Sequence, residues 1–465
     1  MKLLPALTVA IFRQLRRPAR RVSLLLKGAA FLFVFLILDS LLHSHVHSVP
    51  RPPEDLDAPF AIGCQDPVIA AASHPRENAA FVMLARNSEI EEARSTVENI
   101  EAQFNRWFNY PIVFLNNEEW SPEFVRVLNR TASGKAIFDT IPQADWSYPE
   151  WMDKEEARKL LAKQGKAGIY NGGKESYHHM CRFYSGAFYA HPALSEFRYY
   201  WRLEPGVSFS CAITYDPFLA MTTHNKTYGF TTALWEVPDT CPSLFRAVDD
   251  FRLQNSIPPT PNWNAMLKPS SLWDPFPVRW LKGYLGAAHH NSQGDAWNLC
   301  HYWSNFEIAD LDFFRSAPYQ ALFKHLDSKG GFYAERWGDA PVHSLAVHLL
   351  LPPERLHHFS DFGYYHEPFW QCPGNAPGKQ MRDGGSSSGA SAGPGGLGKW
   401  EDGDFSEESE DAVGCRCKCF GAQRRNMRSI CLGTMQAAQA HHRPSWWDKA
   451  RGRWPYTINI PNPVT

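Results

Sequence analysis

Carboxylates, imidazoles and guanidinium groups that could do chemistry fall in a few sharply bounded stretches of this sequence. Residues 197–218, FRYYWRLEPGVSFSCAITYDPF, begin as an aromatic, strand-like run that stops at Glu204-Pro205-Gly206, where proline and glycine forbid its simple continuation. Ligands of open α/β sheets collect beyond the carboxyl ends of strands, so an acid there can hold a divalent cation and, through it, a phosphate. A solvated glutamate at an ordinary turn accounts for the same three residues. Residues 297–312, WNLCHYWSNFEIADLD, read as a helix carrying Glu307, which is either a carboxylate aimed into a cleft or the closing member of a capping box, Ser304-x-x-Glu307. Residues 329–346, KGGFYAERWGDAPVHSLA, bring Arg336, Asp339 and His343 close together, although Asp339 before Ala-Pro also suits the cap of a helix over 341–350. Residues 356–372 supply His357, His358, Asp361 and His366 as possible metal ligands, any one of which taken singly is more often packed or solvated. Tyr177, His178, His179, Arg182 and Tyr184 follow a glycine-rich turn, a density that suits a substrate cleft or a helix over 174–189 whose tyrosines simply pack.

The elements that must position these groups begin at residues 79–84, AAFVML, a short apolar run suited to a buried strand. Ala85-Arg86-Asn87-Ser88 then reads as a turn and helix N-cap. Residues 90–107 have helical spacing, with Ile90, Ala93, Val97, Ile100 and Phe104 on one face, and 110–115, YPIVFL, form a second strand ending in Asn116-Asn117. Strand, helix, strand is the unit of a parallel sheet, so the class is α/β. Arg86 at the mouth of such a sheet either meets a nucleotide phosphate or is a solvated turn residue. No glycine-rich dinucleotide fingerprint or phosphate loop follows the first strand, so phosphate binding has to rely on metal and side chains. Residues 154–163 form a polar helix, whereas 236–283, rich in Pro and Trp, read as irregular surface structure.

With 465 residues, 44% hydrophobic and 14% aromatic, the chain can bury one large core or two modest ones. A net charge of −1 gives no bulk attraction to nucleic acid, and no nucleic-acid motif is present. Arg13, Arg16, Arg17, Arg20, Arg21 and Lys27 precede or open an apolar run that, counted from Val22, is about twenty residues long, near the length that spans a bilayer core. Leu-His-Ser-His-Val-His is a poor cleavage site, so the reading is an uncleaved signal anchor with residues 1–21 cytoplasmic, 22–42 spanning and the remainder lumenal. Its shortness suits a thinner early-secretory or Golgi membrane. Residues 43–77 read as a stem, 78–375 as the catalytic domain, 376–413 as a disordered Gly/Ser/acidic insertion, and 414–465 as a Cys- and Trp-containing extension of that domain. Sequons at Asn129 and Asn225 fit a lumenal domain, and the ten cysteines suit disulfides there, the Cys415-x-Cys417-x-Cys419 spacing being wrong for structural zinc.

The runs ESYHHMCRFYSGAFYAHP, YYWRLEPGVSF, CHYWSNFEIADLDFFRS, GGFYAERWGDAPVHSLA and GYYHEPF closely resemble the fungal Golgi α-1,2-mannosyltransferases of the KTR type, over most of residues 78–375. The resemblance implies a single lumenal GT-A-like α/β domain on a type II anchor. It also implies GDP-mannose as donor, Mn²⁺ as cofactor, and transfer with retention to mannose-terminated glycans. By position in the matched motifs it makes Glu204 and His366 metal ligands and Glu307 the nucleophile. Tyr177, Arg202 and Asp339 become cleft residues around donor or acceptor sugar, and Arg86 a neighbour of the nucleotide. The chain departs from the family at Cys211-Ala212-Ile213-Thr214-Tyr215-Asp216, which lacks the acid usual after the cysteine, and 255–280 and 376–413 look like insertions; both bear on the acceptor. Two rivals stand beside this reading: an enzyme of the same fold using GDP-fucose or UDP-galactose, which donor competition separates, and a non-catalytic glycan-binding relic. A relic has no need to keep Glu204, Glu307, Asp339 and His366 together.

Overall fold

In the computed structural model, which describes residues 18–269, 271–380, 405–419 and 430–441, the apolar run AAFVML forms β1 (Ala79–Leu84) and is buried on both faces. Parallel strands covered on both sides read as continuous apolar runs, and β2 (Ile112–Asn116) and β4 (Tyr199–Leu203) are of the same kind. β1 lies between them, Phe81 pairing with Ile112 on one side and with Trp201 on the other, both in parallel. β3 (Ala136–Thr140) extends the sheet beyond β2. On the far side of β4 come β9 (Ile308–Asp310), antiparallel, then β6 (Tyr228–Phe230) and β10 (Leu356–His358), giving the order β10-β6-β9-β4-β1-β2-β3.

Strand alternation divides the interior into two layers. Phe81, Met83, Trp201 and Leu203 pack on one face, while Ala80, Val82 and Tyr200 pack on the other. The helix that returns the chain from β1 to β2, Ile90–Ile100, buries Ala93, Val97 and Ile100, the face its spacing predicts, and one wide turn over Glu101–Asn105 carries the pattern on to buried Phe104. Two small sheets complete the fold: β5 (Ser208–Phe209), β11 (Tyr364–His366) and β12 (Phe369–Gln371) in the order β12-β11-β5, and β7 (Ala233–Trp235) with β8 (Cys300–Tyr302).

Three expectations are corrected here. Residues 297–312 do not form one helix: they supply β8, a turn and β9, and a helix begins only at Leu311, over Leu311–Arg315. The Ser304 hydroxyl leaves Glu307 and donates to Asp339 Oδ2 at 2.8 Å, so no capping box exists. The short strand β9 is held by β4 and β6, partners far away in sequence, and such long-range pairing overrides local spacing. The Pro- and Trp-rich stretch is not irregular throughout: Pro261 and Pro277 sit in first helical turns, where a missing N–H costs nothing. It contains helices Leu244–Gln254, Pro261–Ala265 and Phe276–Leu285. The segment read as a stem lies on the body: the ring of Phe60 stacks on that of His357 at 3.5 Å, and Asp57 accepts from His358 N–H and lies 2.7 Å from His357 Nδ1.

Disulfides join Cys64 to Cys415, Cys211 to Cys417, Cys372 to Cys419 and Cys300 to Cys431, so the clustered cysteines are spent on bridges to the body, as their spacing predicts. Within the expected insertion, Ala376 is buried and Gly378 N–H donates to Glu408 at 2.9 Å. The remainder of that insertion (381–404), residues 1–17 of the expected cytoplasmic tail, and 420–429 and 442–465 of the C-terminal extension lie outside the described residues.

Candidate active site

Glu204 stands one residue beyond β4, and its turn is tightly built. Gly206 has a φ of +88°, a left-handed conformation that glycine adopts at little cost, and the Thr96 hydroxyl donates to the Val207 carbonyl at 3.0 Å while accepting from Gly206 N–H at 3.0 Å. β5 follows at once and pairs antiparallel with β11, Tyr365 opposite Ser208. That pairing is how His366, at the end of β11 and ahead of a cis Glu367-Pro368 bond, reaches the same edge as Glu204.

Both side chains line a cavity of about 300 Å³ at the carboxyl ends of β1, β2 and β4. Leu84, Ala85 and Arg86 come from the end of β1, Asn116 and Asn117 from the end of β2, and Ser176, Tyr177, Met180 and Tyr184 from the helix Glu175–Gly186. Glu89, Trp146 and Pro205 close the ring. Arg86 is 62% exposed and only loosely paired, 4.0 Å from Glu89. Asn116 Nδ2 is buried without a hydrogen-bond partner, a donor left over for a ligand.

Behind Glu204 stands a buried ion triad. Arg202 Nη2 donates to Glu204 Oε1 at 2.6 Å, its Nη1 to Asp339 Oδ2 at 2.6 Å, and its guanidinium lies 3.6 Å from the ring centroid of Tyr184. Burial alone raises the carboxyl of Asp339, but Arg202, His343 and Ser304 outweigh it and hold Asp339 below the ordinary carboxylate range. Asp339 opens the helix Asp339–Leu350. Arg202 and Asp339 therefore do not reach the cavity wall; they fix the carboxylate that does.

Glu307 differs most from expectation. It is fully buried just ahead of β9, and three groups saturate it: Tyr200 hydroxyl at 2.5 Å on Oε2, with Tyr228 hydroxyl at 2.7 Å and His343 Nδ1 at 2.8 Å on Oε1. His343 Nε2 faces the Tyr184 carbonyl at 3.0 Å, so both ring nitrogens point at acceptors. Burial pushes the His343 pKa down, yet the Glu307 carboxylate outweighs it and holds the imidazole above its ordinary value. Glu307 thus sits one layer behind the cleft, on the far side of Tyr184, rather than aimed into it.

Of the row His357, His358, Asp361 and His366, only His366 lines the cavity. His358 Nε2 faces the Thr231 carbonyl at 2.8 Å, and Asp361 is buried under Tyr215. His178 and Arg182 are also committed elsewhere, to backbone carbonyls and to Asp327 respectively. Burial pushes the Asp361 pKa from 3.8 up to about 7, the neighbouring Tyr215 hydroxyl opposing it in part. The folded chain then keeps a proton that the unfolded chain has lost between pH 3.8 and about 7, so this group lowers stability as pH rises through that window. Asp361→Asn is expected to raise the melting temperature at pH 8, by the equivalent of up to about 4 kcal/mol, and to leave it unchanged near pH 3.5. Melting curves at the two pH values check the sign.

The mostly parallel sheet, with an acid, an imidazole and an exposed arginine around one cleft at its strand ends, is the fold of solved mannosyltransferases, which makes the chain a GT-A-like glycosyltransferase. The chain belongs to the family described as glycolipid 2-alpha-mannosyltransferase, whose sequence model matches residues 59–382, and it is a mannosyltransferase. It is 40% identical over 346 residues to O-glycoside alpha-1,2-mannosyltransferase homolog 4 of Schizosaccharomyces pombe, covering 70% of this chain and 79% of that one. With alpha-1,2 mannosyltransferase KTR1 of Saccharomyces cerevisiae it shares 42% over 299 residues, 64% and 71% of the two chains. Two solved structures have the same fold. Core-mannan synthase A of Aspergillus fumigatus, in a Mn/GDP form, matches with a TM-score of 0.56 and 38% identity over 69% of this chain and 84% of its own. Ktr4p of S. cerevisiae in complex with GDP gives 0.59 and 34% over 74% and 82%.

Proposed function

We propose that this mannosyltransferase moves mannose from GDP-mannose to mannose-terminated O- or N-linked glycans, with retention, an α-1,2 linkage and Mn²⁺ as cofactor. The observation that carries the reading is that Glu204 and His366 line one cavity with Arg86. Carboxylate and imidazole are ligands Mn²⁺ accepts, and two protein ligands leave positions for a diphosphate. His366 must also present a lone pair. As placed, Asn305 Nδ2 donates to His366 Nδ1 at 2.8 Å, while Asn305 Oδ1 is buried with no partner. Exchanging the two ends of that amide lets Oδ1 accept from Nδ1–H and leaves Nε2 free for a cation, so the donor set fits. When bound, the cation supplies the positive charge that balances the departing diphosphate.

The chain's own groups do the rest. Arg202 orients the Glu204 carboxylate from behind, and Arg86 offers an exposed guanidinium to phosphate oxygens. Tyr177 lines the cavity and sits under the Arg336 guanidinium, 5.5 Å from its ring centroid, in position to meet a sugar. Glu307, saturated by three donors, acts as a fixed anion that favours positive charge at the anomeric carbon, which suits front-face transfer better than attack by the carboxylate.

The same reading puts the chain in the Golgi membrane in a type II arrangement, which arginines ahead of the spanning helix, by the positive-inside rule, and four disulfides beyond it support. The purified full-length chain, given GDP-mannose, Mn²⁺ and α-methyl mannoside, is expected to form an α-linked disaccharide, with GDP-fucose and UDP-galactose failing as donors. No product with any mannose acceptor overturns the assignment.

A further inference from the structure

The apolar N-terminal helix does not end free of the catalytic domain. Over Pro18–Val46, here α1, the stretch Val22–Val46 is long and apolar enough to span a membrane, and Leu36, Asp39 and His43 on its last turns, with His47 just past its end, are partly buried. Asp39 accepts from Arg279 through both oxygens, Nη1 and Nη2 each at 3.0 Å, and from the backbone N–H of Phe276 at 3.1 Å. Four residues on, His43 Nε2 lies 2.7 Å from Asp295. Asp39 is seventeen positions past Val22, about 26 Å along a helix, within about one helical turn of the far edge of a hydrocarbon slab about 30 Å thick.

Arg279 belongs to Phe276–Leu285, here α2, and it is buried with Gly283 on the inner face of that helix. Most of the rest of the helix is bare: Phe276 is 58% exposed, Trp280 55%, Tyr284 74% and Leu285 69%, and Trp273 just ahead of the helix is 93% exposed. Phe276, Trp280 and Tyr284 are spaced by four, and the last two rings stack at 5.6 Å. An apolar stripe this aromatic is costly in water. Tryptophan and tyrosine are the residues that collect at the headgroup level of bilayers.

We propose that α2 and Trp273 form a lipid-facing plate that lies in the bilayer leaflet at the C-terminal end of α1 and lays the catalytic domain on the membrane surface. The occupant is lipid because the Asp39–Arg279 pair pins this face beside the span at interfacial depth. The inference rests on α1 crossing the membrane. The mouth of the active site then keeps a fixed orientation to the surface instead of tumbling on a tether, which favours acceptors carried on membrane-bound molecules.

The test uses the full chain reconstituted in phosphatidylcholine vesicles whose acyl chains carry bromine. Residues 1–50 contain no tryptophan, so quenched emission reports the body and not the span. The expected result is quenching in the parent and its loss in the double variant Trp273→Phe/Trp280→Phe, with transferase activity kept. Unquenched emission from vesicle-bound parent overturns the proposal and assigns the face to a protein partner or a second copy. Quenching that persists in the double variant overturns it too. Failure of the chain to float with vesicles overturns the span itself, a separate outcome.

Discussion

Glu204→Ala is expected to abolish Mn²⁺-dependent binding of GDP and with it transfer, while the fold survives. The carboxylate is the acid at the strand edge of the cavity, and it is held rigidly. Arg202 fixes Oε1 at 2.6 Å and is itself fixed by Asp339, so alanine removes a ligand held in a set orientation. Loss of a partner that merely orients a metal ligand costs about 10- to 100-fold, and loss of the ligand costs more, so GDP affinity in the presence of Mn²⁺ should fall by at least about 100-fold. Stability changes little by comparison. Glu204 is 27% exposed and Arg202 keeps Asp339, so the melting point falls by the equivalent of about 1 kcal/mol. Calorimetry of GDP binding with Mn²⁺ and with chelator separates the two effects. An unchanged metal-dependent affinity removes Glu204 from the metal site.

Why Glu204 was readable and other groups were not follows from the range of the interactions that place them. The order β1, helix, β2 is written in local periodicity, and Glu-Pro-Gly marks the end of β4 without help from the remainder of the chain. The same strand-end rule points to Asn116 and Asn117, which line the cavity and which periodicity alone left as the end of a strand. His366 could be told from His357, His358 and Asp361 only by resemblance, because its place depends on β11 pairing with the distant β5. Trp146 reaches the cavity from a loop and carries no local signal. Glu307 was misplaced for the reason β9 was: helical spacing of Phe306, Leu311 and Phe314 is visible in the sequence, whereas the strands on either side of β9 are not. Two of its three partners, Tyr200 and Tyr228, look in the sequence like ordinary core residues.

The burial of Glu307 makes a sharper test of mechanism than its presence does. Glu307→Gln keeps the shape and permits hydrogen bonds to both tyrosines, but it removes the charge and leaves His343 without its anion. If the carboxylate acts as a fixed anion, kcat should fall about 100- to 1,000-fold, the range for one preorganised electrostatic group, while KM for GDP-mannose and the affinity for GDP stay put. No covalent mannosyl adduct should form on Glu307 in the parent enzyme given a 2-fluoro donor, because a nucleophile there would have to shed three hydrogen bonds and emerge past Tyr184. A trapped adduct on Glu307 decides for double displacement, and full activity in the variant removes Glu307 from the chemistry. A second readout separates charge from packing. Glu307 holds His343 above its ordinary value, so the stabilisation from their pair is complete below pH 6.5 and fades as pH rises through the raised value. The parent should therefore lose melting temperature across that window, whereas Glu307→Gln, lower from the start, should not show the same step; a variant that merely loosened the packing would fall by the same amount at every pH.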